Sequence, residues 1–375
     1  MTIGVLREGG RENRVALLPE NVEALRKKNI GVLIESDAGT TSCVSNEEYV
    51  EAGAEIQTRK NILKAADVIL KINPPEAADL RNGQILISIL NPLVNTRLVR
   101  ELADAGITSF SLDMVPRSTR AQAVDVLSSM ATIAGYKAIL VAASKLPNFF
   151  PMFMSASGTI KPSRVLILGA GVAGLQALAT AKKLGAVVEV FDVRAAVKEE
   201  VMSLGGKFIE VEGAMEDAGA GGYAVEQTEE YKRKQQELID EHARKSNVVI
   251  CTAQIPGKKA PVLISKDTVE TMKPGSVIID MAAGSGGNCE LTKTDETIVH
   301  KQVRIIGNSN FPSRMPADAS KMLGVNFTNF LNLLLDEEGK LTMDFGDEIL
   351  ASTCMTHQGE VKNERVAEVI NFENQ

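Results

Sequence analysis

Apolar residues in the first third of the chain come in short runs, TIGVL, GVLIES, ADVILKI, QILISIL and ITSFSLD. Between them lie segments such as ENVEALRKK and NTRLVRELADA, in which apolar positions recur every third or fourth residue. The runs predict strands and the spaced segments amphipathic helices. Strands alternating with helices predict a parallel sheet covered by helices, the α/β class.

The apolar pattern then lengthens into a helix over residues 122–143, followed by KLPNFFPMFMSASGTIKPS, a loop rich in Pro, Ser and Gly that marks a domain boundary. A second α/β series follows, with RVLILG, VVEVF, KFIEV, NVVICT, SVIID and RIIGN as strands. After it, PSRMPADASKMLGVNFTNFLNLLLD reads as a helix whose Leu323, Phe327, Phe330, Leu331 and Leu334 form a core-facing stripe. No strand follows for it to serve in the second series, so it is expected to cross back and complete the first. The organisation predicted is two Rossmann-like domains: residues 1–135 with 313–375, discontinuous in sequence, and residues 136–312.

Composition narrows the class. With 375 residues, 44% of them hydrophobic and 24% charged, the chain has the balance of a globular protein of two ordinary domains. A formal net charge of −7 without a Lys/Arg-rich run argues against nucleic acid. No unbroken apolar run reaches the roughly 18 residues of a membrane span, and the N-terminus has no basic-then-apolar leader pattern, so a soluble, unprocessed chain is expected. The four cysteines lie far apart without a C-x-x-C pair, which signals neither zinc nor disulfides and fits a reducing cytoplasm; all four are expected to be mostly buried. The three histidines, His242, His300 and His357, are scattered and expected at the surface.

The most specific motif is RVLILGAGVAGLQALATAKKLGAVVEVFDVR, in which Gly169, Gly171 and Gly174 form G-x-G-x-x-G between a strand and a helix that runs unbroken to Gly185. Asp192 ends the next strand, 18 residues after Gly174. This is the full context of a dinucleotide site. Gly169 permits the tight turn, Gly171 lets a pyrophosphate approach the backbone, and Gly174 lets helix and strand pack closely. Val172 and Ala173 open the helix whose N-terminal amides would face the phosphates. Asp192, with Val193 beside it, would accept hydrogen bonds from the adenosine ribose, worth about 1.5–3 kcal/mol for a charged acceptor, while a 2′-phosphate would meet like charge. NAD(H) is therefore favoured over NADP(H), with Arg194 as the contrary signal, since Arg accommodates a 2′-phosphate.

A second segment, PRSTRAQAVDVLSS, is polar where a buried helix would be apolar. Three-residue steps put Gln122, Asp125 and Ser128 on one helical face, apart from Val124, Leu127 and Met130. One reading is local: Thr119 to Gln122 fits a capping box, and Asp125 favours the helix dipole. The other is a binding face.

Together, PRSTRAQAVDVLSSMATIAGY, LGAGVAGLQALATAKKLGA and TAQIPGKKAPVLI resemble the soluble NAD(H)-binding first components of proton-translocating nicotinamide nucleotide transhydrogenases, and the likeness extends from REGGRENRVALLPE to MKPGSVIIDMAAGSGGNCE and beyond. The resemblance implies two α/β domains with NAD(H) in the cleft between them. It implies that Arg117, Arg120, Gln122, Asp125 and Ser128 hold the nicotinamide end, with Arg117, Gln122 and Asp125 nearest the reacting ring. It implies a mobile loop in EGAMEDAGAGGYAVEQTEEYKRKQQ whose Gly222 and Tyr223 close over the nucleotide, and a contact at Gln254, where the family usually has Leu. The implied activity is Si-specific hydride transfer from NADH to NADP⁺, the NADP(H) being held by a partner component. The implied assembly is a homodimer in the cytoplasm, attached to the inner membrane through the NADP(H)-binding component and a membrane-spanning proton-channel component.

The N-terminal ENRVALLP, with Arg14, also resembles alanine dehydrogenase, in which Arg14 and Lys71 would bind an α-keto acid carboxylate. Such an enzyme must move protons as well as hydride, and its relatives place a histidine in the segment that here reads QILISILNPLVN, which has none. General acid–base catalysis contributes roughly 10²- to 10⁴-fold, whereas hydride transfer between two nicotinamides needs no such group. A third reading is a subunit that senses NAD(H) without chemistry. No metal is expected.

Overall fold

In the computed structural model, which describes residues 1–211, 228–255, 257–336 and 339–373, the chain divides into two compact units, residues 1–130 with 312–375 and residues 131–311. The first unit opens with β1 (Thr2–Val5), α1 (Pro19–Arg26), β2 (Gly31–Glu35), α2 (Asn46–Glu51), β3 (Glu55–Gln57), α3 (Arg59–Ala65), β4 (Val68–Leu70), β5 (Ile85–Ser88), α4 (Thr96–Asp104) and β6 (Thr108–Ser111). These strands pair in parallel in the order β6-β5-β4-β1-β2-β3. The five predicted from apolar runs are all present. β3, only EIQ, is too short and polar to be announced by its sequence.

The chain continues through α5 (Val126–Lys145), within which the division between units falls, to a hairpin of β7 (Phe153–Ser155) and β8 (Gly158–Ile160) where the sequence predicted a plain loop. Then come β9 (Arg164–Leu168), α6 (Val172–Lys183), β10 (Val187–Phe191), α7 (Lys198–Ser203), β11 (Lys207–Ile209), α8 (Glu229–Lys245), β12 (Val248–Cys251), α9 (Lys266–Thr271), β13 (Val277–Asp280), β14 (Thr297–His300) and β15 (Val303–Gly307). The chain re-enters the first unit with α10 (Pro316–Leu333), α11 (Glu348–Thr353), β16 (Cys354–His357), β17 (Glu360–Val361) and α12 (Glu364–Glu373).

Both sheets are mostly parallel, as the alternation of strands and helices predicts, and each adds an antiparallel edge. In the second sheet, ordered β11-β10-β9-β12-β13-β15-β14, β14 runs antiparallel to β15. In the first, β16 runs antiparallel to β6 and β17 to β16. The β14–β15 turn uses Lys301 (φ 44°) and Gln302 (φ 65°), left-handed positions usually marked by Asn-Gly. The ordinary hairpin signal is therefore absent from the sequence.

Alternate residues of the second sheet's strands face two cores. Val165, Ile167, Val188, Val190, Ile250 and Ile279 pack with Ala138, Ile139 and Ala142 of α5 and Ala177, Leu178 and Ala181 of α6. Leu166, Leu168, Val249, Ile278 and Ile305 face Tyr231, Ile239 and Ala243 of α8. Gly135 permits the α5–α6 approach, since a β-carbon there would lie 2.1 Å from the Ala173 carbonyl oxygen. By length and composition α5 would pass for a membrane span, but Ala138, Ile139 and Ala142 are fully buried in this core. In the first unit, Leu6, Leu33, Ile62, Ile69, Leu86, Val99 and Leu102 form a comparable core.

Candidate nucleotide-binding site

In the second unit β9 has β10 on one side and β12 on the other. Chain order reverses there, and the crevice at the carboxyl ends of the strands is the general ligand position in such sheets. Gly169 leaves β9 with φ 105°, and a β-carbon on it would lie 2.5 Å from Thr252 Oγ1. One on Gly174 would lie 1.9 Å from the Gly169 carbonyl oxygen, so α6 reaches the strand end only with glycine there. One on Gly171 would meet nothing within 4 Å. The fold thus demands two of the glycines, and the third keeps the backbone bare toward open space, a cradle that fits a pyrophosphate. Gly171 is also the N-cap of α6 and provides no side-chain cap, leaving first-turn amides for an anion. Val172 is exposed and Ala173 half-buried beside it.

Asp192 follows β10 and is 9% exposed. Its Oδ2 accepts the Ala170 N–H at 2.7 Å, tying the end of β10 to the glycine turn. Arg194 donates to the same carboxylate from Nε (2.9 Å) and Nη2 (2.8 Å), and its own N–H adds a bond of 2.9 Å. The two residues read from sequence as opposing specificity signals are therefore partners. Val193 packs against the sheet core beside them.

The wall after β12 is held by two residues the sequence reading missed. Asp280, fully buried at the end of β13, accepts the N–H groups of Ala282, Asn288 and Cys289 and the Thr292 hydroxyl. Asn288 in turn accepts the Ala253 N–H and donates to the carbonyls of Ala253 and Pro261. Their signal was an Asp ending an apolar run followed by a glycine-rich loop. Gln254, exposed next to this scaffold, donates to the Met281 carbonyl at 3.0 Å. Gly222 and Tyr223 lie outside the described residues.

In the first unit the polar segment departs from expectation. The predicted continuous helix is broken at Asp125 (ψ 89°): Arg120–Val124 form a 3-10 turn, and α5 starts at Val126. The cause is Asp125 itself, whose carboxylate accepts the Ser128 N–H at 2.9 Å and hydroxyl at 2.5 Å and so caps α5. Thr119 makes no side-chain cap bond, so the capping box expected with Gln122 is absent. Gln122, Asp125 and Ser128 therefore do not share one helical face. Gln122 is exposed, with no side-chain hydrogen bond among the described residues, while Ala121 and Val124 on either side are buried.

What fixes the segment is again unforeseen. Asn326 and Asn329 on α10 each donate to the Ala123 carbonyl at 3.0 Å. Arg120 pairs with Asp347, and Ser118 donates to Glu348 at 2.8 Å, both at the start of α11. Arg117 is exposed. Paired asparagines in an otherwise apolar stripe, VNFTN, were the available clue.

The first sheet has its own reversal of strand order, between β1 and β4. There Lys71 donates to Glu8 at 2.9 Å, and Glu8 also accepts the N–H groups of Ile72 and Asn73. Arg14 binds Glu12 through two bonds of 2.7 and 2.6 Å. Both pairs are buried. Past β5 and β6, burial pushes the Asp113 carboxyl up despite its bonds to the Ser111 hydroxyl and nearby amides, including those of Asn91 and Leu90.

Two expectations about scattered residues fail. Cys251, Cys289 and Cys354 are buried, but Cys43 is exposed, in a left-handed turn (φ 65°). The histidines are half-buried and partnered: His242 with Glu189 at 2.8 Å, His300 with Glu270 at 2.9 Å, and His357 with Thr108 at 3.1 Å.

Comparison with known proteins agrees with this architecture. Residues 4–134 match the model of the alanine dehydrogenase/PNT N-terminal domain, and residues 138–364 that of the alanine dehydrogenase/PNT C-terminal domain. The chain is 44% identical over 362 residues to the first part of NAD(P) transhydrogenase subunit alpha of Rhodospirillum rubrum, covering 93% of this chain and 94% of that one. It is 42% identical over 366 residues to NAD(P) transhydrogenase subunit alpha of Haemophilus influenzae, covering 96% of this chain and 71% of the relative. The crystal structure of transhydrogenase from Sinorhizobium meliloti superposes with a TM-score of 0.88 at 40% identity, over 96% of this chain and 100% of the other. L-alanine dehydrogenase shares the fold, with a TM-score of 0.83 at 24% identity over 99% of both chains. Two domain models spanning nearly the whole chain, and relatives above 40% identity along most of it, establish that this chain belongs to the alanine dehydrogenase/PNT family.

Proposed function

We propose that this chain is the NAD(H)-binding component of an NAD(P) transhydrogenase, whose bound NADH gives up its hydride to NADP⁺ held on a separate NADP(H)-binding component. Its likeness to transhydrogenase alpha subunits supports the role in NAD(P) transhydrogenase. The observation that carries the NAD(H) assignment is the glycine turn after β9: backbone-blocked at Gly174, open at Gly171, with an acidic side chain at the end of β10.

In this reading each residue has a physical task. The α6 amides, bared by Gly171 and flanked by Gly169, Val172, Ala173 and Gly174, take the pyrophosphate. Asp192, beside Val193 and with Arg194 at its edge, takes the ribose hydroxyls. Gln254, Gly222 and Tyr223 supply the remaining contacts to the dinucleotide. Arg117, Gln122, Asp125 and Ser128 orient the nicotinamide end, and Arg120 acts indirectly through its tie to Asp347. Orientation is the main requirement, because the reacting carbons of two nicotinamides must stand about 3–3.5 Å apart and no proton has to move. The chain works as a homodimer in the cytoplasm, attached to the inner membrane through its NADP(H)-binding and membrane-spanning proton-channel partners.

A second reading, an alanine dehydrogenase-like enzyme, draws on Arg14, Lys71 and the protonatable Asp113 at the strand ends of the first unit. One experiment separates the two. Stopped-flow mixing of the NADH-loaded chain with an NADP(H)-binding partner and NADP⁺ gives rapid hydride exchange, while pyruvate with ammonia gives no steady NADH oxidation by the chain alone. The opposite pattern decides for the dehydrogenase, and NADH binding without either reaction decides for a sensor.

A further inference from the structure

The Asp192 carboxylate is occupied by its own chain. Oδ2 accepts from the Ala170 N–H and Arg194 Nη2, and Oδ1 from the N–H and Nε of Arg194, all between 2.7 and 2.9 Å. A carboxylate offers about four lone-pair directions, so these donors fill it. Two of them are backbone amides fixed by the glycine turn and the end of β10. The guanidinium is the donor able to leave: its side chain is 27% exposed, against 6% for Asp192. A ribose diol that engages Asp192 must therefore take the guanidinium's place.

The same pairing bears on the 2′-phosphate that distinguishes the two coenzymes. An arginine just past the second strand of a dinucleotide fold is the group that receives this phosphate. Here its Nε–Nη2 edge is turned onto a carboxylate in the two-point geometry that Arg–carboxylate pairs favour. Glu200 adds a further negative charge near the guanidinium. A phosphate arriving at this pair meets an anion first and a cation already committed.

We propose that Arg194 is a coenzyme-specificity residue held in reserve by Asp192: the ion pair withholds from NADP(H) the guanidinium that would otherwise bind its 2′-phosphate. This rests on the reading that the glycine turn binds NAD(H). Neutralising Asp192 breaks this ion pair, makes the Nε–Nη2 edge available to a 2′-phosphate, and converts the site toward NADP(H). Removing Arg194 leaves the preference for NAD(H) in place and frees the carboxylate for ribose.

The test is equilibrium titration of the full chain with NADH and with NADPH, by calorimetry, for the unaltered protein, Asp192→Asn, Arg194→Met and the double variant. Asn at 192 keeps an oxygen for the Ala170 N–H, so the turn retains its tie. Asp192→Asn weakens NADH and strengthens NADPH, each by about tenfold, the scale of one charge-assisted hydrogen bond. The double variant loses the NADPH gain, and Arg194→Met binds NADH at least as tightly as the unaltered chain. The proposal is overturned if Asp192→Asn gains no NADPH affinity, if the gain survives in the double variant, or if Arg194→Met weakens NADH tenfold, which would make Arg194 merely a support for Asp192. An unaltered chain that does not bind NADH would instead reject the functional reading itself.

Discussion

At the scale of single residues, the polar segment before α5 divides its tasks more sharply than its sequence implied. Asp125 and Ser128 are bonded to each other at the start of α5, Arg120 is paired with Asp347, and Gln122 is left exposed on a turn pinned from behind by Asn326 and Asn329. An exposed amide on a fixed turn is suited to align a ligand without contributing much to its affinity. Shortening it tests this: Gln122→Asn lowers the hydride-transfer rate at least tenfold in the reconstituted reaction, while NADH affinity by titration changes less than threefold, since misplacement by about 1 Å costs far more in rate than in binding. Equal losses in both would make Gln122 an ordinary binding contact.

Among the elements, α5 illustrates how one side chain sets a boundary that apolar periodicity leaves open. Its 20 residues continue the apolar pattern of the preceding turn, and the break at Asp125 comes from a local competition: the carboxylate satisfies the Ser128 amide, which a continued helix would have bonded itself. Asp125→Ala removes that cap and destabilises the folded chain by about 1 kcal/mol. In a thermal melt this appears as a transition lowered by about 2–4 °C for a unit of this size, and an unchanged transition would mean that the cap contributes nothing. Strand β9 with α6 shows the complementary case, in which backbone contact dictates the residue: the van der Waals conflict at Gly174 lies with a carbonyl oxygen, which cannot rotate away as a side chain would.

For the whole molecule, the relevant balance is between buried charges and their partners. Glu189, on β10 inside the second unit, is 6% exposed; burial would raise its pKa, but the His242 hydrogen bond and the charges of His242, Lys207 and Arg164 hold it below the usual carboxylate range. Asp347 in the first unit is likewise held low, with burial outweighed by Arg120 and the Ile349 and Leu350 amides. A carboxylate with a depressed folded pKa contributes stability that is present above its unfolded value, about 4.3 for Glu and 3.9 for Asp, and is lost as pH falls through the folded value. Melting temperatures should therefore hold from neutral pH to about 5 and fall steadily below about 4, with Glu189→Gln less stable at neutral pH but flatter through the acid range. An acid limb as steep in Glu189→Gln as in the parent would remove this pair from the account. The buried thiols add no comparable sensitivity near neutrality, since burial pushes Cys289 up to about 11 and Cys354 up to about 12.

The amino-acid order alone determined the alternation of strands and helices and the glycine turn with its acidic strand end. Each depends on contacts between residues close in sequence or on an apolar periodicity that any core would bury. Tertiary structure decided the rest. That Asp192 ties the end of β10 to the glycine turn, which asparagines hold the Gln122 turn in place, and how Asp280 and Asn288 brace the wall after β12 all depended on which segments meet in space. The antiparallel edges belong with these, because the left-handed residues of the β14–β15 turn are ordinary Lys and Gln whose conformation is imposed by the strand pairing they join. Local preferences are encoded residue by residue; polar partnerships exist only once distant segments have been brought within hydrogen-bonding distance.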